Sequence, residues 1–334
     1  MDRYMKNVQP FADFEKEIAE IEERYFTFLN SLPVNLAESG NTQFYERSKK
    51  REGNPCIAFY IPFWFAELFD YEDENAIKEI AMGNFYLYHG ATLKDDALDK
   101  KTSNIKLYLQ LSDIMLEKAL GIYFQFAPKH RVLSYFKNLT DQWYQAETYL
   151  RRHHDMLLPY TTKDFEMMGK KAAMLKMCLP LFYENFDSRT LLNVGKATDL
   201  AAGGFQLMDD LLDWQEDYER GLYTYPLWLI ASSHRQVIQN NDGDTEQDLA
   251  EILYLDGIAE QVLEKSNYYL YLSRDIFANL SGEYCVNFLD FTIQQNSSIV
   301  DLIQSKKQTS KREGIQSIEL VAELEHLIKK IQQT

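Results

Sequence analysis

Residues 204–213 read Gly-Phe-Gln-Leu-Met-Asp-Asp-Leu-Leu-Asp and end a long run of helix-forming residues. The aspartates follow the pattern D-D-x-x-D, which puts Asp209 and Asp213 on one helix face because positions i and i+4 are neighbours there. The pattern also occurs at residues 95–99, which read Asp-Asp-Ala-Leu-Asp. A single copy is typical of a solvated acidic surface, but two copies that follow apolar helices predict two groups of converging carboxylates.

Converging carboxylates repel one another unless a cation lies among them. Their oxygens are hard ligands that suit Mg²⁺, which keeps several waters and bridges to substrate phosphates. The formal net charge of −16 is consistent with this interpretation, because only bound metals would let so acidic a chain hold an anionic substrate. The two clusters therefore predict a magnesium site for a diphosphate.

The composition indicates a single large all-α domain. The chain has 334 residues but only 14 Gly and 8 Pro, and no linker-like segment divides it. We expect a helical bundle with a central cavity, formed by an N-terminal helix and loop (1–50), a core bundle (51–306) and a charged C-terminal helix (307–334).

Charge and cysteine content restrict the partners and the compartment. The acidic chain disfavours nucleic acid and anionic membranes, which both need clustered basic residues. No run of eighteen apolar residues occurs, so no integral membrane segment is expected. The three cysteines, Cys56, Cys178 and Cys285, are far apart in sequence and predict buried free thiols in a reducing cytoplasm.

Apolar residues recur at helical spacing along most of the chain. Residues 32–41 are predicted to form a loop. Helices are predicted at residues 10–31, 54–69, 75–99, 105–125, 130–153, 162–183, 188–214, 223–238, 248–280, 283–306 and 315–331.

The region around the second cluster resembles a known family. Residues 204–213, with Asp217, Gly221 and Thr224-Tyr225-Pro226 downstream, are similar to the F-Q-x-x-D-D-x-x-D region of the trans-isoprenyl diphosphate synthases. These belong to the class I isoprenoid synthases, which also include the terpene synthases. The matching elements span about residues 80–230.

The resemblance implies a fold, a cofactor and a set of site residues. Three Mg²⁺ ions are expected, with Mn²⁺ as an alternative, and a homodimer is the usual assembly. Residues 171–175 are similar to the family's K-T-x-x-L segment, so Lys171, with Lys170 as the second choice, is expected to contact the allylic diphosphate. Gln206, one turn before the second cluster, is expected either to face the cavity and orient the substrate or to form a hydrogen bond within the core. The implied metal ligands and catalytic residues are Asp95, Asp96, Asp99, Asp209, Asp210 and Asp213, and the cavity-lining candidates are Phe59, Phe85, Tyr86, Tyr88 and Phe205.

Two departures from the family bear on the reaction. Chain-elongating members carry a G-G-K-R-x-R-P segment, where residues 51–57 here read Arg-Glu-Gly-Asn-Pro-Cys-Ile. They also carry an Arg-Arg pair after the first cluster, where this chain has Lys100-Lys101. These arginines normally hold isopentenyl diphosphate, and lysine lacks their bidentate geometry.

The preferred hypothesis is therefore a class I terpene synthase that ionises a C15 or C20 allylic diphosphate. The alternative is a prenyltransferase that condenses the allylic diphosphate with isopentenyl diphosphate or another acceptor, and the second alternative is a non-catalytic partner subunit. A di-iron bundle would need two E-x-x-H motifs, and the chain has one, at Glu323 and His326.

Two further features are interpreted as surface chemistry. His153 and His154 are adjacent and point in different directions on a helix, so they are expected to be surface residues that share no metal. Glu147 and Arg151 have i, i+4 spacing and are expected to form a weak ion pair on the same surface.

Overall fold

A computed structural model describes residues 9–49, 56–98, 104–154, 156–185, 188–234, 245–313 and 316–332. These residues are almost entirely helical, and none of them lies in a β-strand; an isolated antiparallel bridge joins His154 and Leu222. The all-α prediction is confirmed. The helices are α1 Glu15–Asn30, α2 Val34–Lys49, α3 Ile57–Leu68, α4 Glu74–Leu98, α5 Ile105–Tyr123, α6 Lys129–Leu150, α7 Thr162–Lys171, α8 Ser188–Leu212, α9 Trp214–Glu219, α10 Tyr225–Ser233, α11 Thr245–Leu255, α12 Ile258–Asn279, α13 Glu283–Glu313 and α14 Ser317–Gln332.

The described residues divide into two compact units. The first is drawn from Met1–Asp141, Ala173–Gly195 and Ile276–Phe288, and the second from Gln142–Ala172, Lys196–Asp275 and Leu289–Thr334. The chain therefore passes between the units several times. The division into segments 1–50, 51–306 and 307–334 and the central cavity stay predictions.

The core of the first unit is rich in aromatic side chains. Helix α3 is apolar along most of its length and is buried on nearly every side. Its Phe59 stacks on Phe85 of α4, with ring centroids 3.5 Å apart. A buried amide links three elements, since Tyr123 donates a hydrogen bond to Asn84 Oδ1 at 2.6 Å and Asn84 Nδ2 donates to the Ala58 carbonyl at 3.2 Å. The buried Asn84 amide and Tyr123 hydroxyl are thus paired, as most buried polar groups are.

The core of the second unit surrounds the C-terminal half of α8. Leu207 and Leu211 are fully buried one turn apart, and Trp214 of α9 is buried beside them. Because these residues anchor one side of α8, they fix the direction in which the neighbouring aspartates point. The same core includes Leu227, Ile230, Leu249, Leu253, Val262, Leu263, Ile299, Ile303, Leu320, Leu324 and Ile328.

The loop predicted at residues 32–41 is wrong, because α2 begins at Val34. The Pro33 carbonyl accepts hydrogen bonds from the amides of Leu36 and Ala37, both at 2.9 Å, so proline starts this helix. Phe44 is buried, whereas the polar residues that suggested a loop lie mainly on the other faces. Burial of one face therefore outweighs the low helix propensity of the segment.

Two predicted helices are interrupted. The segment 248–280 breaks into α11 and α12 around Gly257, whose φ of 86° is a conformation that a helix cannot contain. The segment 162–183 contains α7 and then two 3₁₀ helices, Ala173–Lys176 and Leu179–Asn185. Pro180 is the second residue of the second 3₁₀ helix, in a region where an α-helix would lose a backbone hydrogen bond.

All three cysteines are free thiols, in agreement with the expectation from their spacing. Cys178 and Cys285 are buried in the first unit, and burial raises the pKa of both thiols. Cys56 is half-buried. Within the part of the chain that is described, no helix has the length and apolar character needed to span a membrane.

Candidate functional site

The second aspartate cluster lies where α8 ends. Asp209 and Asp213 are exposed, whereas only 5% of Asp210 is accessible. Gln206, one turn earlier, donates a hydrogen bond from Nε2 to Asp210 Oδ1 at 2.8 Å. Asp210 Oδ2 is buried without a hydrogen-bond partner. Burying a carboxylate oxygen with no hydrogen-bond donor costs free energy. A positively charged ligand beside this atom would therefore stabilise it.

Burial raises the pKa of Asp210 to about 8. Repulsion from Asp217 and Asp209 acts in the same direction, and the Gln206 amide and the Lys171 ammonium oppose it. Burial also raises the pKa of Asp217 to about 6, with a further contribution from Asp213. Full ionisation of this group of carboxyls would therefore place more negative charge there than its own surroundings neutralise.

Lys171 is a cationic group whose charge acts on two carboxyls of this region. It is the last residue of α7, and it lowers the pKa of both Asp210 and Asp217. Its Nζ also lies 3.4 Å from Glu147 Oε1 on α6. Glu147 was expected to pair with Arg151, but its partner is Lys171. Helix α6 ends at Leu150, and Arg151 lies in the 3₁₀ turn that follows, where helical spacing no longer applies. Lys170, the second choice, is half-buried beside it.

A glycine allows α7 to approach α8 closely enough to bring Lys171 to the cluster. A Cβ atom added to Gly169 would lie 2.1 Å from the Asp199 carbonyl oxygen. No side chain can be tolerated at that distance without moving one helix away from the other. The two backbones therefore meet two residues before Lys171.

The chemistry of the donors fits a hard cation. The second cluster offers carboxylate oxygens, including the unpartnered Asp210 Oδ2, and such oxygens are the ligands that Mg²⁺ prefers. Within the described residues, no three or more His, Cys, Asp and Glu side chains are grouped closely enough to hold an ion together. The metal-ligand roles of Asp209, Asp210 and Asp213 stay predictions.

The first cluster lies at the end of α4. Asp96 is 7% exposed and accepts a hydrogen bond from Gln43 Nε2 of α2 at 3.1 Å. Asp95 is half-buried, and Asp99 lies outside the described residues. No sequence pattern singled out Gln43, because its contact depends on the packing of α2, whose first half was predicted as a loop.

The aromatic candidates have different environments. Phe85 is fully buried and stacks on Phe59, so both rings belong to the core of the first unit. Tyr88 is half-buried and meets the edge of Phe59 at 5.7 Å. Phe205 is half-buried on α8. Their roles in binding substrate stay predictions.

A buried histidine near the first cluster was not predicted. His89 of α4 is 1% exposed, and its Nδ1 shares a short hydrogen bond with the Tyr25 hydroxyl of α1. Burial lowers the pKa of His89 to about 3, so this imidazole is neutral at ordinary pH. Its position one turn after Phe85 on an apolar helix was the signal that could have identified it.

The prediction that His153 is a surface residue is wrong, although His154 is exposed as expected. His153 is 4% exposed, and its Nε2 lies 2.7 Å from Asp164 Oδ1. Helix α6 ends before this residue, and a single 3₁₀ turn, Arg151–His153, carries it into the interior. Helical spacing therefore does not apply there.

No protein-family model matches the chain, and no curated protein matches it. The fold is that of the class I isoprenoid synthases, as the resemblance implied.

Several solved structures of prenyl diphosphate synthases are similar to this chain. A decaprenyl diphosphate synthase from Rhodobacter capsulatus has 15% identity and a TM-score of 0.68, covering 85% of this chain and 97% of that chain. A geranylgeranyl pyrophosphate synthetase from the archaeon Geoglobus acetivorans has 16% identity and a TM-score of 0.67, covering 84% and 99%. A geranylgeranyl pyrophosphate synthase from Corynebacterium glutamicum, complexed with calcium and isoprenyl diphosphate, has 14% identity and a TM-score of 0.61, covering 85% and 96%.

Proposed function

We propose that this chain is a Mg²⁺-dependent prenyltransferase that condenses an allylic diphosphate with isopentenyl diphosphate. The observation that carries the proposal is Asp210, a buried carboxyl with an unpartnered oxygen, beside Asp217 and Lys171. The similar solved structures support it, since they are prenyl diphosphate synthases and one is complexed with a divalent cation and isoprenyl diphosphate. This reverses the order of the hypotheses drawn from the sequence.

The proposed metal ligands are the aspartates of both clusters. Bound Mg²⁺ would neutralise the diphosphate as it leaves the allylic carbon, which is the main electrostatic requirement of the reaction. The number of ions, three, is taken from the resemblance. The ligands are Asp95, Asp96 and Asp99 from the first cluster and Asp209, Asp210 and Asp213 from the second.

Lys171 is proposed to bind the diphosphate directly. Its ammonium group is paired with Glu147 at 3.4 Å, which is beyond a strong hydrogen bond, so an anionic ligand with several oxygens can compete for it. Gln206 holds Asp210 Oδ1 and thereby leaves Oδ2 for another partner. Half-buried rings, Tyr88 and Phe205 among them, are proposed to exclude water from the allylic cation.

A terpene synthase is the second candidate, and a specific observation favours it. Residues 51–57 and Lys100-Lys101 lack the arginines that hold isopentenyl diphosphate in chain-elongating enzymes of the family that the chain resembles. A lysine binds a diphosphate as a point charge and not as a fork. Both candidate reactions begin by breaking the bond between the allylic carbon and the diphosphate. They differ in the group that then reacts with the allylic cation.

One experiment separates these candidates. Purified protein is given Mg²⁺ and a C10, C15 or C20 prenyl diphosphate, with and without isopentenyl diphosphate, and both released diphosphate and extracted products are measured. Longer diphosphates that form only with isopentenyl diphosphate would support the prenyltransferase. Hydrocarbon or alcohol products without it would establish the terpene synthase, and no turnover in any mixture would favour a non-catalytic partner subunit.

Assembly and location form part of the same proposal. The resemblance implies a homodimer, which light scattering of the purified protein tests directly. A cytoplasmic location is proposed from the composition and the free thiols, and fractionation of cells that express the chain tests it.

A further inference from the structure

Asp164 is a buried carboxylate outside both aspartate clusters. It is the third residue of α7 and is fully buried, with 0% of its surface exposed. Arg152 Nη2 lies 2.6 Å from its Oδ2, and His153 Nε2 lies 2.7 Å from its Oδ1. The Thr161 amide and hydroxyl donate to Oδ2 at 2.7 and 2.6 Å. Both carboxylate oxygens are therefore satisfied by donors from two segments.

This network keeps Asp164 charged. Burial by itself would raise the pKa of Asp164, but hydrogen bonds from His153, Thr161 and Arg152 outweigh it and lower the pKa to about 2. A buried carboxylate with an Arg partner and several further donors is held rigidly, because removing any donor leaves a charge uncompensated. The groups around it are thus fixed in their relative positions.

One end of the network leads to Lys171. Helix α7 is a single rigid element from Thr162 to Lys171, and Asp164 lies seven residues before its end, about 10 Å along the axis. The capping box between Thr161 and Asp164 also determines where the helix starts. An anchored start therefore determines the position of the lysine at the other end.

The other end of the network leads to the loop that follows Asp217. The Tyr223 amide donates a hydrogen bond to the His153 carbonyl at 3.1 Å, and His154 forms a β-bridge with Leu222. The Leu222 amide in turn donates to the Asp217 carbonyl at 2.8 Å. The backbone next to His153 is thus tied to the segment that carries Asp217.

Tyr160 completes the connection. Its ring stacks on the His153 imidazole with centroids 4.3 Å apart and an interplanar angle of 19°. Its hydroxyl donates to the Tyr223 carbonyl at 3.2 Å. Burial raises the pKa of Tyr160, and Asp210 is close enough to raise it further. Tyr160 therefore links the network to the neighbourhood of Asp210 in the second cluster.

We propose that Asp164 is a positioning residue that holds Lys171 and Asp217 in place around Asp210. This inference rests on the proposed function only in its expected effect on kinetics. The positioning of α7 and of the loop of residues 222–224 does not depend on it. Asp164 does not contact the diphosphate; it acts through α7 and through the loop of residues 222–224, which it holds by way of His153.

A control for the Arg–carboxylate contact itself exists in the same unit, in a pair whose aspartate is 44% exposed. Arg274 of α12 holds Asp290 of α13 by a similar Arg–carboxylate contact, with Nε 2.7 Å from Oδ1 and Nη2 3.2 Å from Oδ2. Neither residue is in the network around Asp164. Asp290→Asn therefore measures the effect of losing an Arg–Asp pair, and Asp164→Asn measures the effect of losing one that positions Lys171.

The kinetic test compares diphosphate release by these variants. Asp164→Asn is expected to lower kcat/KM by about 10- to 100-fold, the loss typical of a misplaced binding group, while Asp290→Asn leaves it within about twofold. In a Lys171→Met background, Asp164→Asn should lower kcat/KM by a clearly smaller factor than in the unsubstituted protein, because the lysine to be positioned is gone and only Asp217 can still be displaced. Full additivity of the two substitutions would overturn the proposal.

Amide hydrogen exchange tests the same proposal without activity. Asp164→Asn should speed exchange at the Tyr223 amide and along the first turn of α7, and Asp290→Asn should not. Unchanged exchange there would overturn the positioning role even if turnover fell. If the unsubstituted protein turned over no prenyl diphosphate, the proposed function would fail, and exchange would still decide the role of Asp164. Should Asp164→Asn not fold, Arg152→Lys removes the fork but keeps the charge and gives the same two readouts.

Discussion

Replacement of Asp210 by asparagine should stabilise the metal-free protein at high pH. The folded pKa of Asp210 is about 8 against an ordinary value of 3.8, so between these values the folded state holds a proton that the unfolded state releases. The contribution of Asp210 to stability is therefore undiminished below pH 3.8 and is lost as the pH rises towards 8. At pH 7.5 the loss is roughly 5 kcal/mol, taking about 1.4 kcal/mol per pH unit. Asparagine removes this loss because it carries no titratable proton.

The assay is thermal unfolding in EDTA at pH 5 and pH 8. Asp210→Asn should raise the Tm by roughly 5–10 °C at pH 8 and by much less at pH 5. Asp213→Asn is the control, because it removes an exposed carboxylate from the same motif and should show a much smaller dependence on pH, limited to its effect on Asp217. Diphosphate release by Asp210→Asn should be lost under the same proposal. A Tm that is unchanged at pH 8, or raised equally at both pH values, would refute the reasoning.

Three more substitutions test other contacts. Gly169→Ala should destabilise the folded state by about 3 kcal/mol, because the added Cβ would meet a backbone carbonyl. Gly121→Ala, which has open space around it, should be neutral or stabilising by up to about 1 kcal/mol. Equal melting temperatures of the two variants would contradict this prediction. Lys171→Met should raise the KM for the allylic diphosphate by about 10- to 100-fold, and Lys170→Met by less than threefold; the reverse order would move the contact to Lys170. Gln43→Leu removes one hydrogen-bond donor of the buried Asp96 carboxylate and should cost about 1–3 kcal/mol by denaturant titration, which an unchanged midpoint would disprove.

The parts of the fold that were predicted correctly depend on local patterns. Periodic apolar residues identified most of the helices, and the same period put Leu207 and Leu211 in the core of the second unit. That register determines where Asp209 and Asp213 point, so their exposure follows from the sequence. The spacing of the motif could not show which aspartate is buried, because burial of Asp210 depends on neighbouring helices.

The parts that were missed depend on contacts between distant residues. Lys171 pairs with Glu147, twenty-four positions away, and Asp164 pairs with His153 across a turn. Such pairs have no period along the chain, so only the packed structure identifies them. Helix α2 was missed for a related reason, since one buried face outweighs a composition typical of loops.

The buried thiols allow unfolding of this chain to be followed by chemical labelling. An alkylating reagent attacks the thiolate and needs access to the sulfur, and neither condition is met at Cys178 or Cys285 in the folded state. Half-buried Cys56 should react first. Counting labelled cysteines by intact mass during a denaturant series would then follow opening of the first unit in unmodified protein, without an introduced probe.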